Sequence, residues 1–110
     1  MGYDILSNTT HNFWNCGHAW GCYLDLAEAF GWAPEQNGSH YYIGNDYQNV
    51  SDKDARAIAN ALLLAIAYIQ DVQPTNMTAN GTTLLTFDVE DVPHLCDLVA
   101  LTLAGGFTVA

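Results

Sequence analysis

His11, Cys16, His18, Cys22 and His40 are of the types that hold a tetrahedral zinc ion. Structural zinc sites draw on close pairs such as Cys-x2-Cys or His-x3-His, and that spacing is missing. On a helix Cys16 and His18 would project about 200° apart, and only His18 and Cys22 would share a face. No metal ligand is therefore assigned, and Cys22 is expected to pack as a small hydrophobe. The cysteines at 16, 22 and 96 are odd in number and widely spread, so free thiols are expected rather than a disulfide framework. A thiolate nucleophile would need an imidazole base beside it. Cys16 or Cys22 with His40 is the available pairing, and no flanking motif accompanies it. Carboxylates for acid-base work would come from Asp46, Asp88, Glu90 or Asp91, which no spacing brings to one cleft. Gly105-Gly106 follows an apolar helical run instead of preceding one, the reverse of an anion-binding loop. No catalytic residue and no cofactor is expected, and a zinc- or cysteine-dependent small enzyme ranks third among the functional readings.

The aromatic side chains carry a different chemistry. Phe13, Trp14, Trp20, Trp32, Tyr41, Tyr42 and Tyr47 all lie in the first half of the chain. Trp20 and Phe30 suit a core. Trp14, Trp32, Tyr42 and Tyr47 fall at element ends or in loops, where large amphipathic rings either close over the helix ends as a small core or anchor an interface. With Asn45, Asp46 and Gln48 they form the candidate binding set. The same polar trio with Trp32 and Tyr42 would also suit a pocket for a neutral or cationic small molecule, which is the second reading.

Three helices and a few strands must position these groups. Ala19, Cys22, Tyr23, Leu26, Ala27 and Phe30 recur at steps of three and four, which predicts a first helix over 15–30 ended by Gly31 and Pro34. His40–Ile43 suits a short strand, followed by a turn at Gly44-Asn45-Asp46. Ser51 with Asp54 resembles a capping box opening a second helix that runs to about Asp71. Its middle, Ala61–Ile69, is apolar on every face and is expected to be buried all round. Thr82–Phe87 reads as a strand after the Asn80-Gly81 turn. A third helix opens near Asp91 with Pro93 in its first turn. Val92, Leu95, Cys96, Val99, Ala100 and Leu103 are assigned to its core face, leaving Leu98 and Leu101 uncovered. Phe107–Val109 is a terminal strand. The expected architecture is α+β: one compact domain over residues 1–110, three helices packed with a single layer of three or four short strands. Asn-x-Ser/Thr triplets at Asn8, Asn37, Asn49, Asn76 and Asn80 mark expected surface loops.

Charge narrows the partners. The chain of 110 residues carries twelve acidic residues against Lys53 and Arg56, a net charge of −10. Charged residues make up 13% of it against about 25% in an ordinary domain, so basic residues are scarce and carboxylates are not dense. Acidic residues cluster only briefly, as in Asp52 with Asp54, without the long runs of a nucleic-acid mimic. Nucleic acid and anionic membranes need cations to bind them and are not expected partners. A basic protein surface is the expected partner, drawn in by the long-range field. The longest apolar run is far shorter than the roughly 20 residues of a bilayer span, and Met1-Gly2-Tyr3-Asp4 lacks an export signal's basic and apolar regions. The cytoplasm is the expected compartment.

Read together, Phe13-Trp14, Trp20, Leu24-x-Leu26-Ala27, Phe30-Gly31-Trp32-x-Pro34, Asn45-Asp46-x-Gln48-x-Val50 and Asp54-Ala55 resemble a group of small uncharacterised bacterial and phage-type proteins. The resemblance covers residues 1–70, and more loosely Ala104–Phe107. Members carry glycine where this chain has Tyr47, and no activity comes with the likeness. The first reading is thus a small acidic, non-enzymatic interaction protein, a bacterial regulator or phage-encoded inhibitor. It would bind a basic protein surface and form a homo-oligomer through apolar helix faces.

Overall fold

The computed structural model describes residues 4–15, 20–34, 48–71, 75–79 and 83–109, with the main chain alone at 48, 71, 75–79 and 83–86. The order is β1 (Asp4–Ser7), β2 (Phe13–Asn15), α1 (Trp20–Ala29), β3 (Gln48–Val50), α2 (Asp52–Asp71), β4 (Thr75–Ala79), β5 (Thr83–Phe87), α3 (Val92–Leu103) and β6 (Phe107–Val109). β2, β1, β6 and β3 form, in that order, an antiparallel four-stranded sheet, and β4 pairs with β5 as a separate two-stranded ribbon. The fold is α+β, as expected. The strands expected at Thr82–Phe87 and Phe107–Val109 are present as β5 and β6, whereas those at 4–7, 13–15, 48–50 and 75–79 lack the apolar alternation by which a strand is read from sequence. The expected strand at His40–Ile43 and the turn at Gly44-Asn45-Asp46 lie outside the described residues. Asn49 and Asn76 lie within strands rather than loops.

Alternation along each strand sends Ile5, Trp14, Val50, Phe107 and Val109 inward and Leu6, Phe13 and Asn49 outward. The inward set joins the buried faces of the helices in one continuous core. β1 and β6 lie centrally because each has a partner on both sides.

α1 ends in a Schellman motif. The N–H of Trp32 donates to the Ala27 carbonyl and that of Gly31 to the Glu28 carbonyl, with Gly31 at φ +114°, a conformation that favours glycine. α2 opens on Ser51, whose hydroxyl accepts the Asp54 N–H at 3.1 Å. Asp52 turns its Oδ1 to the Gly106 N–H at 2.6 Å, tying the α3–β6 turn to the start of α2. Gly105 (φ +122°) leaves no room there: a Cβ would lie 2.9 Å from that same Oδ1. α3 is preceded by a single 3-10 turn, Val89–Asp91, closed by a capping box between Asp88 and Asp91.

Two expectations about helix faces are corrected. α2 is not buried all round: Ala55, Ile58, Ala59, Leu62, Ala65, Ile66 and Ile69 face the core, while Leu63 and Leu64 are exposed on a stripe that begins with Lys53 and Arg56. On α3, Leu98 and Leu101 are buried within the chain together with Val92, Leu95, Val99 and Thr102, whereas Cys96, Ala100 and Leu103 are exposed. α3 is apolar almost all round, so its periodicity admits more than one buried face, and packing against α2 and β2 decides among them. Thr102 lies on that face because its hydroxyl donates back to the Leu98 and Val99 carbonyls. Leu98 and Leu101 are therefore covered within the chain. No helix among the described residues is long and apolar enough to cross a membrane.

Candidate functional site

The candidate site is the groove between β2, at the edge of the sheet, and α3. It measures about 600 Å³ and is lined by Thr10, Asn12, Phe13, Trp14 and Asn15 on one side and His94, Asp97, Ala100 and Leu101 on the other. A volume of this size suits a ligand or a short peptide segment. Its strand wall follows from the pleat: consecutive residues of β2 point to opposite faces, so Trp14 enters the core at 5% exposure while Phe13 remains 65% exposed.

Trp14 forms the floor. Its indole N–H donates to the His94 carbonyl at 3.0 Å, and its ring stacks on the His94 imidazole with centroids 4.4 Å apart. Tyr23 meets it edge-on at 4.9 Å and Trp20 at 6.2 Å. Phe87 extends the cluster from Tyr23, and Phe107 extends it from Trp20. These edge-to-face contacts are the favoured geometry of aromatic packing, so the floor is a continuous aromatic cluster. The helix wall places His94, Asp97 and Leu101 at steps of three and four along one side of α3.

The sheet's solvent face carries polar contacts. The Thr108 hydroxyl lies 2.8 Å from Asn8 Oδ1 and 3.0 Å from Asn49 Oδ1, and the Asn15 amide donates to Asp4 at 2.7 Å. Leu6 lies opposite Phe13 in the register on the same face, so the two form a small exposed apolar pair beside the groove.

Of the expected binding residues, Trp14, Trp32 and Gln48 are among those described. Trp14 lies in the groove floor as a core ring rather than as an exposed anchor. Trp32 is 3% exposed, and its indole N–H donates to Asp54 Oδ1 at 3.0 Å, which fastens the end of α1 to the start of α2. Gln48 is in β3, its main chain in register with Val109. Tyr42, Asn45, Asp46 and Tyr47 lie outside the described residues, as do Cys16, His18 and His40. Cys22 is fully buried and Cys96 exposed. No cluster of three potential metal-ligating side chains occurs among the described residues. Phe13, His94 and Asp97 are the groove residues that sequence reasoning missed as a site. The available signal was the in-out alternation of Phe13-Trp14-Asn15, which marks Phe13 as the outward ring once Trp14 is assigned to the core.

No family model, curated protein or solved structure matches the chain.

Proposed function

We propose that the chain is a non-enzymatic interaction protein, a cytoplasmic bacterial regulator or phage-encoded inhibitor, which engages a basic surface of another protein through the β2–α3 groove. The observation that carries this reading is a groove lined by an exposed aromatic ring, Phe13, on its strand wall and by Asp97 on its helix wall, with no lysine or arginine in the lining, on a chain of net charge −10. A guanidinium entering such a groove can lie over the ring face and pair with the carboxylate. The overall field raises the rate at which a basic partner arrives.

Self-association is assigned to the exposed stripe of α2. Leu63 and Leu64 are its apolar centre, and Lys53 and Arg56 stand toward its N-terminal end. A second copy of so acidic a chain meets least repulsion where the chain's only two cations lie.

The reading is tested with two pools of random 12-residue peptides, one holding two arginines per peptide and the other citrulline, its uncharged isostere, at the same positions. The protein should retain arginine peptides well above citrulline ones, with retention falling as salt rises from 50 to 300 mM. Equal retention from both pools would refute a basic partner.

A further inference from the structure

The exposed stripe of α2 is complementary to a second copy of itself in one orientation. Positions 53, 56, 60, 63, 67 and 70 are all exposed and recur at alternating steps of three and four, the spacing at which two helices lie along each other in a shallow supercoil. The six are symmetric about the midpoint between residues 61 and 62. A second α2 running antiparallel, on a two-fold axis through that midpoint, sets Lys53 level with the partner's Gln70, Arg56 with the partner's Ala67 and Asn60 with the partner's Leu63. Such a contact uses the same patch on both copies, which is the commonest way for two identical chains to close.

Charge fixes the direction. Lys53 and Arg56 stand in the first two turns of α2, at the end where the helix dipole disfavours cations. The last turn holds no basic residue and the helix ends at Asp71, so the negative end of the dipole has no cation of its own. Antiparallel pairing lays Lys53 and Arg56 of each copy along the last turns of the other. Parallel pairing would set them against their own counterparts, which repel. Leu63 and Leu64, both exposed, flank the midpoint, so the leucines of the two copies meet near the axis. Two leucines from each copy make a small apolar centre, and the pair therefore dissociates on dilution.

We infer that two copies of the chain associate as an antiparallel, two-fold pair of α2 helices, with Arg56 of each copy directed to the C-terminal end of α2 in the other. This inference rests on the assignment of self-association to α2 and adds its geometry.

The test is disulfide cross-linking of the full chain with Cys16 and Cys96 replaced by serine, which leaves only the buried Cys22. Lys53→Cys and Gln70→Cys are made as separate proteins and oxidised mildly, alone and mixed. The mixture should give a covalent dimer and neither protein alone should, because like positions lie about 25 Å apart along the axis and a disulfide needs Cα atoms within about 7 Å. Covalent dimers from either protein alone would mean parallel pairing and overturn the inference while leaving self-association through α2. No covalent dimer from the mixture, in a protein that still associates in sedimentation velocity, would place the contact elsewhere and overturn it equally. A protein that sediments as a monomer at all concentrations would overturn the inference through the reading beneath it. A second variant checks the direction: Arg56→Gln with Glu90→Gln, which holds the net charge at −10, should weaken association at least about threefold, since a cation is lost from a helix C-terminus at both symmetric contacts. Unchanged or tighter association would contradict the antiparallel arrangement.

Discussion

The indole N–H of Trp32 donates to Asp54, a carboxylate that is itself 1% exposed, while that of Trp14 donates to a neutral main-chain carbonyl. Hydrogen bonds to charged groups contribute about 1.5–3 kcal/mol and neutral ones about 0.5–1.5 kcal/mol. Trp32→Phe should therefore destabilise the chain more than Trp14→Phe, as a larger fall in the urea midpoint with an unchanged slope. Equal losses would mean that packing, not the acceptor's charge, sets the cost. Glycine gives a second residue-scale prediction. At Gly105 a side chain meets both a positive φ and the Asp52 carboxylate. At Gly31 the φ is positive but a Cβ finds open space. Gly31→Ala should cost about 1–2 kcal/mol and Gly105→Ala more, because the Asp52 bond to Gly106 is disturbed as well; thermal unfolding of the two variants orders them.

At the scale of elements, the buried face of α3 decides what surface remains. Leu98 is fully buried and Leu103 is 46% exposed. Leu98→Ala should thus cost about 2–5 kcal/mol, and Leu103→Ala no more than about 0.5 kcal/mol, in the same denaturation measurement. The reverse order would restore the face on which Cys96, Ala100 and Leu103 are internal. The helices were legible in the sequence because capping and stopping residues bracket them: Ser51 before α2, Pro93 within the first turn of α3, Gly31 and Gly105 after α1 and α3. Of the sheet, β6 was legible after the Gly105-Gly106 stop, whereas β2 and β3, of three residues each, derive their identity from partners distant in sequence. Leu6 meets Thr108 only through the fold. The groove was illegible for the same reason. Phe13 and Asp97 stand on elements far apart in the chain, and only the docking of α3 beside β2 brings them to one groove.

For the whole molecule, a net charge of −10 sets the terms of any encounter. Its only cations lie on α2, away from the groove, so a basic partner and a second copy would use different surfaces. Leu64→Glu should abolish concentration-dependent association in sedimentation velocity while leaving arginine-peptide binding unchanged. A wild-type chain that sediments as a monomer at all concentrations would remove the self-association proposal alone. The same separation of surfaces isolates the central claim, that the β2–α3 groove receives a basic partner. The most direct measurement compares the dissociation constant for an arginine peptide from the selected pool among wild type, the groove variant Phe13→Ala with Asp97→Asn, and Leu64→Ser on α2. Loss of an aromatic anchor and of the carboxylate on the opposite wall should weaken binding at least about tenfold, with a shallower dependence on salt, while Leu64→Ser stays at the wild-type value. Undiminished binding by the groove variant, or a loss confined to Leu64→Ser, would contradict it.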